Sequence, residues 1–282
     1  MFNPELSAAV ERFATLFVDL PDSSLDLAWR WKGYDEGLRF SFFVTSLELR
    51  QLAVKLAASQ PAPSSAQRIL AQYHAAYLDL QAAVFGLSEE TANLAPAEGE
   101  WPVSKIYAHI LGAEFGFTAV LRYALVKHRA GSWMPDPMPE AEYPRWYAIS
   151  EEDYDKLMNG PFQGMLAYHR ELHPTILREF ATISEDELGK PAAFWEESRF
   201  HIAFRLHRYE AHFRQHTIQI DKTHIATGNA PSEARRLIRM LYGALADVNG
   251  CLIGVDGRKS AESIDLSRTI DARTKELAKL LK

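Results

Sequence analysis

The residues best suited to chemistry are two imidazoles four positions apart, in His212-Phe-Arg-Gln-His216. On an α-helix this spacing sets them about 40° apart around the axis and about 6 Å apart along it. Both can then reach one divalent metal. A third histidine, His109, belongs to a different expected helix far upstream. If the three converge, they form a facial ligand set that leaves coordination positions open for chemistry. If they do not, the chain is a helical protein whose sequence says little about its work.

Spacing alone is a weak signal. Ten histidines in 282 residues give roughly a third of one i,i+4 pair by chance, and this chain has two such pairs. The second is His169-Arg-Glu-Leu-His173. It is not the metalloprotease H-E-x-x-H, because Glu171 stands one place late and Pro174 bends the chain beyond it. Helical phase separates the pairs. His169 and His173 fall in the middle of the apolar face of Phe162, Leu166, Ile176 and Phe180, which makes them inward-facing core or cavity residues. His212 and His216 share a stripe with Arg205, Gln219 and Thr223, beside an apolar band of Ile202, Leu206, Tyr209, Phe213 and Ile220. Such a stripe is either a solvated face or the lining of a polar cavity. On the helix of His109, Gly112, Ala113 and Gly116 lie on the histidine's side and lower the wall beside it. Glu114 points about 140° away, which makes it a buried hydrogen-bond or salt-bridge group between helices and not a ligand.

The elements that must position these residues are helices. Periods near 3.6 dominate and strand alternation is nearly absent. Asn3-Pro4 reads as a cap and first helical residue, with Leu6, Ala9, Val10, Phe13, Leu16 and Phe17 on one face. Further helices are expected over 35–59, 65–87, 103–129, 162–182, 199–227 and 264–281, with longer loops at 88–102 and 130–150. Between the last two helices, Ala234, Leu237, Ile238, Leu241, Ala244, Leu245, Val248 and Leu252 trace another clean apolar stripe. The expected architecture is all-α: a single helical domain over 1–282 with a four-helix bundle as core and helices at 1–59 and 229–282 packed on it.

Composition narrows the function. An apolar fraction of 47% with 24% charged residues is ordinary for a globular protein. A net charge of −6 gives no reason to expect nucleic acid or an anionic membrane as partner. Cys251, the single cysteine, excludes an intrachain disulfide and a cysteine-based metal cluster, and it reads as a small apolar residue. The opening residues lack a basic and then apolar leader, and no apolar run is long enough to span a bilayer, so the expected location is cytoplasmic. No G-x-S-x-G and no G-x-G-x-x-G occurs, which leaves serine-hydrolase and Rossmann chemistry unsupported.

Trp101 followed eight places later by His109 and then by Glu114 resembles the second-helix motif of the DinB/YfiT-like superfamily. His212-x3-His216 followed by Thr-Ile-Gln-Ile resembles its fourth-helix motif. The order and separation of the two agree as well, over about 62–228; Pro102 stands where Ser or Thr is usual. The resemblance implies a DinB-like four-helix bundle holding one divalent metal on His109, His212 and His216, with water at the remaining positions. Zn, Ni and Fe are the expected ions, since imidazole suits them. It also implies a metal-dependent transferase or hydrolase acting on a small molecule, with a low-molecular-weight thiol as cosubstrate of an S-transfer. Homodimerisation is typical of such bundles, and the terminal helices either leave that surface open or cover it. Candidate catalytic helpers are His169 and His173, if their helix lines the pocket, and Arg205 as an anion clamp for a substrate carboxylate. The competing reading is a non-enzymatic helical protein with a structural or vestigial metal, acting through protein partners.

Overall fold

The computed structural model describes residues 4–132, 138–147, 149–193, 199–255 and 260–282. Its helices are α1 (Pro4–Phe17), α2 (Arg39–Ser59), α3 (Ser65–Ala83), α4 (Glu89–Ala92), α5 (Val103–Arg129), α6 (Tyr143–Trp146), α7 (Glu151–Met158), α8 (Phe162–Phe180), α9 (Glu185–Leu188), α10 (Ile202–Ala226), α11 (Glu233–Gly250) and α12 (Ala261–Leu280). The protein is all-α, with one two-residue hairpin, β1 (Arg30–Trp31) and β2 (Tyr34–Asp35), among the described residues. No described helix is long and apolar enough to cross a membrane.

The expected helices are present, with local differences that have physical causes. The helix expected from 35 starts at Arg39, because Tyr34 and Asp35 pair with Trp31 and Arg30. Lys32 (φ 47°) and Gly33 (φ 92°) make the positive-φ turn that a two-residue hairpin requires. The expected cap Asn3 lies outside the described residues, and α1 begins at Pro4. The span expected as a loop over 130–150 carries a 3-10 turn at Glu140–Glu142 and α6; its residues 133–137 and 148 lie outside the described part. Ser150 then caps α7 by accepting from the Asp153 amide.

Contacts divide the chain into two compact units, one of residues 1–62, 74–87 and 224–282, the other of 63–73 and 88–223. The boundaries therefore differ from the expected core at 62–228, and the terminal helices pack chiefly on one another. The reason lies in the second half of α3. Arg239 of α11 grips Asp79 with two hydrogen bonds, and Arg235 donates to the Phe85 carbonyl at 2.7 Å. In this unit α1 pairs with α12 and α2 with α11. The α1 face read from the sequence is fully buried at Leu6, Val10, Phe13 and Phe17. Phe13 meets Phe42 of α2 edge-on at 5.1 Å. Each such phenyl ring contributes about 2–3 kcal/mol by leaving water. Arg12 forms a two-pronged pair with Asp271 at 2.8–2.9 Å, and the buried Arg273 joins α12 to Thr45 and Glu48 of α2.

In the second unit, the first part of α3 meets α5, α8 and α10. Glu89 of α4 sets the start of α8, its carboxylate accepting from the amides of Phe162 and Gln163 at 3.0 and 2.8 Å. A negative group there also suits the helix dipole. Arg122 and Glu179 tie α5 to α8. Tyr209 and Phe213 of α10 lie against Tyr73 of α3 at 4.8 and 5.3 Å between ring centroids. These contacts fix the rotation of α5, α8 and α10, and thus where their histidines point.

Candidate metal centre

His109 on α5 and the His212–His216 pair on α10 converge. The Nε2 atoms of His109 and His212 are 3.3 Å apart. The ring centroid of His216 lies 4.6 Å from that of His109 and 4.3 Å from that of His212. One ring nitrogen from each of the three falls within 4.8 Å of the others. Ligand nitrogens about 2.0–2.1 Å from a tetrahedral ion stand about 3.3–3.4 Å apart, so the observed pair already has a ligand edge's length.

The electrostatics keep protons off two of the three imidazoles. Burial, then the neighbouring His216, His109 and Arg208, push His212 down to about 3. Burial and His216 lower His109 as well. Both imidazoles are therefore neutral near pH 7 and present lone pairs, as ligation requires. His216 is further oriented by its own helix: its Nδ1 donates to Oε1 of Gln219 at 2.8 Å. The proton is thereby held on Nδ1, and the Nε2 lone pair is left for a ligand bond. The Nδ1 of His212 is buried with no partner among the described residues. Gln219→Leu is expected to weaken metal affinity about tenfold to a hundredfold, read by competition with a chelator, with Gln219→Glu recovering it.

A second constellation lies in the core of the same unit. Glu114, His169 and His173 are at most 1% exposed. His169 Nε2 is 2.8 Å and His173 Nδ1 3.8 Å from the Glu114 carboxylate. The Tyr73 hydroxyl donates to Glu114 Oε1, and the Tyr107 hydroxyl is 2.7 Å from His169 Nδ1. Thr118 donates to the Glu114 carbonyl at 2.7 Å and meets the Tyr209 hydroxyl at 2.9 Å. Glu114, His169 and His173 likewise have a donor set and spacing that could hold a metal ion. Burial works to raise the Glu114 pKa, but His169 and His173 outweigh it and lower the group. Burial also pushes His173 down to about 4.

A family model described as the DinB superfamily matches residues 72–220, more than half of the chain. This chain belongs to the DinB superfamily. No curated protein and no solved structure matches it. The DinB match spans every member of both constellations.

Within this DinB protein, the residues singled out from sequence part into three places. His109, His212 and His216 come together. His169 and His173 join Glu114 in the core group. Arg205, 4% exposed, donates from Nε to the Ala192 carbonyl at 2.9 Å and packs on Phe200 and Phe204. It fastens the segment before α10 to that helix, about 10 Å along the axis from His212. The stripe expected as either a solvated face or a cavity lining is buried: His212, His216 and Thr223 are 5–8% exposed. The glycine beside His109 also has a tenant, because the Tyr154 hydroxyl sits 2.8 Å from where a Gly112 Cβ would stand. Gln219 and Arg208 had no assigned role in the sequence, although their spacings, i+3 from His216 and i−4 from His212, put them on the face of the two histidines.

Acid should unfold the metal-free protein early. Below 6.5 an unfolded His173 takes up a proton that the folded residue refuses until about 4. Stability is therefore lost as pH falls through that window. The lowered Glu114 acts in the same direction at lower pH, since its folded pKa lies below the unfolded one. Urea midpoints of the apo protein should decline on acidification from about 6.5, and His173→Leu should flatten that decline.

Proposed function

We propose that this chain is a metal-dependent enzyme of the S-transferase or hydrolase type, with one divalent ion held by His109, His212 and His216 and a small-molecule substrate. The observation that carries this reading is the convergence of three imidazoles, His109 and His212 at ligand-edge spacing, with His109 exposed at the mouth of the cluster. A divalent ion bound there supplies Lewis acidity that lowers the pKa of a thiol or of water toward neutrality.

The chain's own contribution is to hold and orient. Three uncharged ligands leave the ion's positive charge undiminished. Gln219 keeps His216 in one tautomer. Trp101 and Phe117, both half-buried, wall the cluster beside His109 and His212. The exposed side of His109 leaves an approach for substrate. The thiol cosubstrate rests on the family resemblance, and the ions that imidazole suits, Zn, Ni and Fe, also bind thiolate.

A second reading is favoured by the enclosed Glu114, His169 and His173: a structural ion there, without turnover. A catalytic ion needs an open position and a structural one does not. Metal content by mass spectrometry on the purified protein tests the first reading. About one ion per chain is expected, with a sulfur-to-metal charge-transfer band when cysteine is added to cobalt-loaded protein. No metal after reconstitution with Zn, Ni, Mn and Fe would overturn it.

A further inference from the structure

Two cations flank the histidine cluster, and each rests on an aromatic ring that touches one of its members. On one side Trp101 meets His109 with ring centroids 5.5 Å apart, and Lys105 Nζ lies 5.0 Å from the Trp101 centroid. On the other side Phe117 meets His212 edge-on at 5.5 Å, and the Arg208 guanidinium carbon lies 5.8 Å from the Phe117 centroid. Arg208 precedes His212 by four residues, so the two share a helix face about 6 Å apart along the axis. Cation–aromatic contact holds each charged head over the ring rather than letting it swing into water.

Among the described residues, neither cation is in an ion pair, and Glu210, the carboxylate near Arg208 on α10, is taken by Arg214. Arg205 is buried against a backbone carbonyl, while Arg208 is only partly buried. Three imidazoles add no negative charge. A chain of net charge −6 therefore gathers two cations around its ligand cluster with no described counter-charge.

We infer that the substrate of this site carries an oxyanion, a carboxylate or a phosphate, received by the two-pronged guanidinium of Arg208 with Lys105 on the opposite rim. The inference rests on the reading of His109, His212 and His216 as the metal site. A guanidinium fork matches the two oxygens of either group, whereas the ammonium of Lys105 acts as a point charge. Arg208 would thus select the substrate and orient it toward the ion.

The test uses the full-length protein loaded with cobalt, its visible spectrum titrated with acetate, with inorganic phosphate and with imidazole as an uncharged control. In Arg208→Met the oxyanion Kd should rise by about tenfold or more, the loss of one charge-assisted contact. The Kd for imidazole and the cobalt content should stay unchanged, which a general structural defect would not allow. Arg208→Lys should fall between, and Lys105→Met should show a smaller rise. A larger loss for phosphate than for acetate assigns the group as phosphate, and the reverse assigns a carboxylate. Unchanged oxyanion binding in both Arg208→Met and Lys105→Met overturns the inference. Absence of cobalt from the wild type is a separate result, read before any titration; it removes the metal reading and this inference with it.

Discussion

In His212→Ala the bound metal should fall from about one ion per chain to less than about a tenth. In the proposed site His212 supplies one of three ligand nitrogens, and alanine has nothing to replace it. The two remaining imidazoles sit on different helices and no longer enclose a common point. His169→Leu, measured beside it, should keep its metal, because His169 belongs to the buried Glu114 group. The opposite pattern, metal kept without His212 and lost without His169, would move the ion into the core and favour the structural reading. Metal analysis on the two variants and the wild type therefore separates the two sites in one experiment.

His169→Leu should instead lose stability, by about 3–5 kcal/mol. Glu114 is fully buried and its ionised form is held by His169 at 2.8 Å, by the Tyr73 hydroxyl and, more distantly, by His173. Removing the imidazole leaves a carboxylate in the core with too few partners, and the Tyr107 hydroxyl loses its contact with Nδ1 as well. Replacing the carboxylate by an amide relieves most of that cost. Glu114→Gln combined with His169→Leu should therefore be more stable than His169→Leu alone, a coupling that a double-mutant cycle in urea would measure. A loss below about 1 kcal/mol in His169→Leu would mean that His169 does not hold the charge of Glu114.

What the sequence made legible was phase within single helices. The spacing of His212 and His216, the burial of His169 and His173 and the inward position of Glu114 follow from a period of 3.6 and need no tertiary information. The α11 stripe from Ala234 to Leu252 is likewise buried throughout. What stayed hidden was mostly pairing between helices. Nothing in the order of residues tells that Glu114 of α5 faces His169 of α8, since that depends on how far each helix is rotated about its axis. The same holds for Tyr154, whose hydroxyl occupies the gap beside Gly112. Arg205 misled for a related reason. It lies on the His212–His216 face of α10 by phase, but the segment before the helix folds back and offers the Ala192 carbonyl. The division of α3 between two units was also invisible, because its helical period continues without a break from Ser65 to Ala83.

The sulfur of Cys251 has a practical consequence for work with thiols. It sits near the carbonyls of Asp247 and Ala53, and burial followed by the charge of Asp247 raises its pKa above the ordinary value. Near neutral pH it is a protonated and therefore sluggish nucleophile. It is also the sole sulfhydryl of the chain. A small disulfide reagent therefore exchanges slowly with the protein, and a mixed disulfide formed by that exchange, with release of one small thiol, has one address.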